Sequence, residues 1–176
     1  MLKKRLIPKL LIKSRKIGSV TRPILVTTKN YSDVIEVGDP VSQAKIYEAQ
    51  LADELIVLNI DSNPIRDDDA ILALIQRLAT ETFMPLAVGG VVRSPDDFGL
   101  LLDRGADKVS INTMALECPQ MIGEAANRFG EPGGKMRSKS ATAGQNDRNI
   151  YNICYLFCSN QIEPYAHPVT ININQM

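Results

Sequence analysis

From Arg5 to Phe129 the chain moves between two hydrophobic rhythms. Compact runs at 5–12 (RLIPKLLI), 54–61 (ELIVLNID), 85–88 (PLAV) and 106–112 (ADKVSIN) read as strands buried on both faces. Between them apolar residues recur at helical spacing. The sets are Val41, Ala44, Tyr47 and Leu51; then Ile71, Leu74, Ile75, Leu78 and Ala79; then Phe98, Leu101 and Leu102; then Met121, Ile122, Ala125 and Phe129. Punctuation agrees with these boundaries. Asp39 can cap a helix with Pro40 at its first position, and Ser94-Pro95 repeats the device. Asn63-Pro64 turns the chain, and Asp67-Asp68-Asp69 places acids at the positive end of a helix. Gly105 ends the third helix, and Glu117-Cys118-Pro119 is expected to start the last, which stops at Gly130.

Four repeats of strand then helix imply an α/β fold with a parallel sheet under helical cover. Four strands are too few to close a barrel of the usual size, so a partial TIM barrel of about four βα units, a half-barrel, is expected over 1–130. Ser14 to Val37 mixes polar, β-branched and turn residues without a period, and is expected to be a long loop with room for a short hairpin. The rhythm does not continue beyond Gly130. Residues 131–149 are rich in Gly, Ser, Lys and Arg and read as a flexible tail. Residues 151–159 (YNICYLFCS) fit a strand or a short helix, and the whole of 131–176 fits a disrupted reading frame or a joined foreign segment. An open half-barrel exposes strand edges and an apolar inner face, so self-association as a homo-oligomer, or cover by the tail, is expected.

Composition narrows the function classes. The 176 residues carry a formal net charge of +0, which removes any bulk electrostatic case for nucleic acid. Aromatic residues make up 5% with no Trp, which argues against base stacking. Three cysteines, an odd number, do not suggest a disulfide framework, and a reducing cytoplasm is expected. The basic start MLKKRLIPKLLIKSRK looks like a leader, but Pro8, Lys9 and Lys13 break its apolar part. No apolar run approaches the roughly 20 residues needed to cross a bilayer, so no membrane partner is expected.

The stretch 84–112 carries the candidate chemistry. It reads as strand, turn, helix, turn and strand, one parallel crossover unit. Its strands end in Gly89-Gly90 and Asn112-Thr113. At the carboxyl ends of parallel strands, backbone N–H groups can hold a phosphate without side-chain bulk. The plainer reading is a pair of tight strand-end turns. Arg93 could assist an anion or simply cover the surface. The run Asp67-Asp68-Asp69 reads as a solvated helix start rather than a magnesium site. Cys154, Cys158 and His167 offer ligand atoms in an irregular tail and read as accidental. No metal and no cofactor are expected.

The fragments MLKKRLIP, GDPVSQAKIY at 38–47, ADELIVLNI at 52–60, PLAVGG at 85–90 and RGADKVSINT at 104–113 give residues 1–130 a further identity. In order and spacing they resemble the cyclase subunit of imidazole glycerol phosphate synthase, in the histidine-biosynthesis (β/α)8-barrel family. The resemblance implies a lyase whose barrel has two similar halves. It implies a ligand with a phosphate at each end, and a glutamine amidotransferase partner that sends ammonia through the barrel. Asn112 and Thr113 match one phosphate site, and Gly89 and Gly90 match two glycines of another loop, whose third glycine is Val91 here. A β-branched residue disfavours positive φ and would crowd a phosphate oxygen. Arg5, Glu54 and Lys108 match three of four charged residues that form an ammonia gate. The catalytic aspartate of the first strand falls at Leu11, which has no carboxyl group for acid–base work. The aspartate usual on the second strand is Asn59, with Asp61 two residues on, together a candidate polar pocket. Leu10-Leu11-Ile12 resembles a branch associated with surface-polysaccharide (lipopolysaccharide) sugar amidation, where a cyclase-like barrel supplies ammonia. The alternative is a catalytically inactive half-barrel that only docks a partner or binds phosphate.

Overall fold

The computed structural model describes residues 5–29 and 33–129. The tail, with Cys154, Cys158 and His167, lies outside the described residues. In chain order the elements are β1 (Lys9–Ile17), β2 (Val20–Lys29), β3 (Asp33–Gly38), α1 (Pro40–Ala49), β4 (Leu55–Asn59), α2 (Asp69–Glu81), β5 (Leu86–Gly89), α3 (Pro95–Asp103), β6 (Lys108–Ser110), α4 (Thr113–Glu117) and α5 (Gln120–Phe129). One six-stranded sheet runs β3-β2-β1-β4-β5-β6. Its β1-β4-β5-β6 part is parallel, each strand after β1 reached through a helical crossover. This is the partial barrel that the strand–helix alternation implies.

Alternation along the strands divides the sheet into two faces. Leu10, Val57, Val88 and Val109 stand in register on the face that packs on the helices, and all four are buried. The helices bring Ile71, Leu74, Ile75, Leu78, Phe98, Leu101, Met121 and Ala125 to the same core. On the opposite, inner face Lys9, Ile56, Ala87 and Lys108 form one row, and Leu11, Leu58, Gly89 and Ser110 the next.

Three local expectations change. The long loop at 14–37 is largely strand. β1 continues to Ile17, turns through Gly18-Ser19 and returns as β2, and β3 extends the meander. Gly18 has φ 64 at the first position of a two-residue turn, the geometry that matches strand twist. Every residue of the edge strand β3 is solvent-facing and β2 buries only the adjacent pair Leu25 and Val26, so no alternating buried face imprints a hydrophobic period on their sequence. Leu51 is not on the buried face of α1. It lies past the helix end with φ 62 and is 85% exposed. The last helix starts at Gln120, after a separate five-residue helix, α4, that Cys118 and Pro119 terminate.

Candidate functional site

At the amino ends of the parallel strands, Glu54 is 3% exposed. Its Oε2 accepts from Arg5 Nη2 and from Lys108 Nζ, each at 2.9 Å. Arg5 precedes β1, Glu54 precedes β4 and Lys108 opens β6, so three separate crossover units converge on one carboxylate oxygen. A buried carboxylate is tolerable only with such partners. Beside Glu54 and Lys108 lie two aspartates that the sequence did not single out. Asp53 accepts the Leu6 N–H at 2.7 Å, and Asp107 accepts the Leu86 N–H at 2.7 Å. The matching signal is the repeat Ala-Asp-charged, ADE at 52–54 and ADK at 106–108, which ties each strand start to its neighbour.

At the carboxyl ends the register sets Leu11, Leu58, Gly89 and Ser110 side by side. Leu11 brings no titratable group to this row. The two glycines are required by packing alone. A Cβ on Gly89 would meet the Ser110 carbonyl oxygen at 2.7 Å, and one on Gly90 the Asn59 carbonyl oxygen at 2.6 Å, with Gly90 at φ 139. The φ of Val91 is not positive, and its carbonyl accepts the Ile65 N–H at 3.2 Å. Asn112 and Thr113 are solvent-exposed beyond β6, Asn112 just before α4 and Thr113 as its first residue. Asn112 precedes α4 without a capping side-chain bond, so its amide is not committed to the helix.

Asn59 and Asp61 form a corner with the β1–β2 ribbon. Asn59 Oδ1 accepts the Asp61 N–H at 3.0 Å, and Asp61 Oδ2 accepts the Ser14 N–H at 2.5 Å. Ser14 Oγ donates to Asp68 at 2.5 Å, and Asp68 caps α2 through the Ile71 N–H. Asp68 is therefore buried, not a solvated member of an acidic run. Asn59 Nδ2 is buried and has no partner among the described residues. The same residues contain no group of three or more His, Cys, Asp or Glu side chains fit to hold a metal ion.

One further residue shapes the loop after β5. Asp97, 1% exposed, accepts from the Arg93 and Ser94 N–H groups at 2.7 and 3.0 Å and from Arg66 Nε at 2.8 Å. It forms the capping box of α3 and fixes the chain from Gly90 to Ser94. Arg93 meets the Ser62 carbonyl at 3.4 Å through its guanidinium. Arg66, on the short turn before α2, joins the α2 side to this loop. The signal was legible as Ser94-x-x-Asp97, read only as a helix start.

The model of the family described as "Histidine biosynthesis protein" matches residues 5–133. The chain is similar to the imidazole glycerol phosphate synthase subunit HisF of Lactococcus lactis subsp. lactis, 48% identical over 130 residues, covering 74% of this chain and 47% of the relative. It is similar to a putative subunit hisF2 of Prochlorococcus marinus, 45% identical over 134 residues, 74% of this chain and 49% of the relative. A HisF of Methanococcus maripaludis is 42% identical over 130 residues, 74% of this chain and 44% of the relative. The chain thus spans about half the length of the curated relatives it matches. Through residues 5–133, this chain belongs to the histidine biosynthesis protein family.

Proposed function

We propose that the chain is a cyclase-type subunit that receives ammonia from a glutamine amidotransferase and holds a phosphorylated small molecule at its strand ends. The observation that carries the reading is the convergence of Arg5 and Lys108 on the buried Glu54. Mutually paired opposite charges at the amino ends of the strands exclude bulk water yet can separate when a partner docks. Leu6, Leu51 and Phe83 lie at this end of the sheet and are solvent-exposed, Phe83 at 96%. Exposed apolar side chains around a paired-charge centre fit a protein partner. Neutral ammonia would then pass the row Lys9–Ile56–Ala87–Lys108 and reach Leu11–Leu58–Gly89–Ser110. The phosphate would lie against Gly89, Gly90, Asn112 and Thr113.

Leu11 favours a second reading of the chemistry. Cyclisation needs a carboxyl group at this row, and leucine cannot move a proton. In that reading the chain delivers ammonia or docks its partner without cyclising, as in sugar amidation for surface polysaccharides. The test is to mix the full chain with a glutaminase subunit and follow glutamine hydrolysis and ring formation separately. Stimulated hydrolysis that is lost in Glu54→Gln supports the partner reading. Hydrolysis at the basal glutaminase rate would overturn it. Ring formation by the mixture would overturn the delivery-only reading.

A further inference from the structure

The ribbon made by β1 and β2 carries a charge pattern that its fold does not need. Residues 9–29 hold six Lys or Arg and no Asp or Glu, in a chain balanced at 20 basic and 20 acidic residues. Register sets Arg15 directly opposite Arg22 across the antiparallel pair. Like charges in that relation destabilise a sheet. Glu36 answers one of them, meeting Arg15 at 2.6 Å. The side chains of Arg22 and, next along the same face, Lys13 have no ion pair or hydrogen bond among the described residues. Strand alternation puts Lys13, Arg15 and Arg22 on the face that carries Leu11, and Leu11 stands in register with Leu58 and Gly89. The cations therefore extend the inner face outward from the strand ends. Ser14, on the other face, pins the ribbon there through Asp61 and Asp68.

We propose that Lys13, Arg15 and Arg22 form an anion-binding arm that takes a phosphate group of a small molecule seated at the carboxyl ends of β1, β4 and β5. The inference rests on the phosphorylated-ligand part of the reading above and adds a second point of attachment. Arg22 presents the planar fork suited to phosphate, and Lys13 adds a point charge. A small molecule is favoured over a surface because these cations continue the inner face.

The experiment is calorimetric titration of the full chain with inorganic pyrophosphate at two salt concentrations. Arg22→Gln and Lys13→Gln test the arm, and Thr113→Val tests the strand end. Lys16→Gln removes the same charge from the opposite face of the ribbon. Arg22→Gln is expected to weaken binding roughly threefold to fivefold, more at low salt, with Lys16→Gln near the native value. Weakening by Arg22→Gln with no effect of Thr113→Val supports the arm and sinks the strand-end phosphate. Weakening by Thr113→Val alone overturns the arm and leaves the strand-end reading standing. Equal losses from Arg22→Gln and Lys16→Gln would mean diffuse attraction and overturn the proposal. Flotation with phosphatidylserine vesicles that responds to Lys16→Gln as strongly as to Arg22→Gln would also overturn it, in favour of a lipid surface.

Discussion

Glu54 and Lys108 meet at 2.9 Å across the amino end of the sheet, although 54 positions separate them in the chain. Arg5 reaches the same oxygen, so one buried carboxylate holds two cations whose side chains are 26% and 18% exposed. Removing the carboxylate leaves both cations facing each other without compensation. Glu54→Gln is expected to lower stability by about 3 kcal/mol, at the low end for breaking buried pairs because both cations reach solvent. Lys108→Met removes one cation, leaves Arg5 in place and is expected to cost less. Urea unfolding of the two variants at neutral pH checks the order.

Two glycines should respond in opposite directions to the same substitution. Gly90 has φ 139, and a Cβ there would press on the Asn59 carbonyl oxygen at 2.6 Å. Gly90→Ala combines backbone strain with a backbone clash and is expected to cost about 3 kcal/mol. Gly123 lies within α5, and a Cβ there would meet nothing within 4 Å. Gly123→Ala is expected to add about 0.5–1 kcal/mol by restricting the unfolded chain and favouring helix. Thermal unfolding of the pair, each against the native chain, measures both signs. A neutral Gly90→Ala would mean that the strand ends at Asn59 and Gly90 are looser than their spacing indicates.

The parallel core was legible because burial on both sheet faces leaves continuous apolar runs, as at 55–58 and 86–88, and because Asp39, Pro40, Ser94 and Pro95 mark helix starts. Arg5, Glu54 and Lys108 could be singled out through the family resemblance. Their common oxygen could not, since it depends on three crossovers bringing distant residues together. The meander was illegible for the opposite reason. Burial in β2 and β3 is confined to the adjacent pair Leu25 and Val26, which gives no period, and the register is set by the Gly18-Ser19 turn and by Ser14 contacting Asp61 and Asp68. Asp97 was hidden in a helix-start motif, where its carboxylate serves the preceding loop as much as the helix.

That second role makes Asp97 the most sensitive position of the loop after β5. It is 1% exposed and accepts two backbone N–H groups and the Arg66 guanidinium. Asp97→Ala would leave those donors unsatisfied and remove half of the α3 capping box. The expected cost is about 3 kcal/mol, above a typical lost cap. Amide hydrogen exchange should show faster exchange at Arg93 and Ser94 before any change in β4. Uniform exchange across the sheet would show that Asp97 stabilises the whole fold rather than this loop.

Asp39 gives a pH dependence with a definite sign. Its carboxylate accepts the Ser42 backbone N–H at 2.8 Å as the cap of α1, and that bond holds its pKa below the ordinary value of 3.8. Burial works against this shift, while the Ser42 hydroxyl and the Arg77 charge reinforce it. The folded state therefore binds the proton less readily than the unfolded state. The stability from ionised Asp39 is present above the unfolded value and is lost as pH falls from near 3.8 through the lower folded value. Asp39→Ala is expected to cost about 1 kcal/mol at neutral pH. Asp39→Asn keeps an acceptor for the Ser42 N–H but cannot ionise. The stability difference between the native chain and Asp39→Asn should thus shrink as the solution is acidified from pH 6 toward pH 3, in urea unfolding curves at each pH. Comparing two chains that share every other carboxylate isolates this single group. A difference that stays constant over that range would show that the charge of Asp39 contributes nothing to the cap.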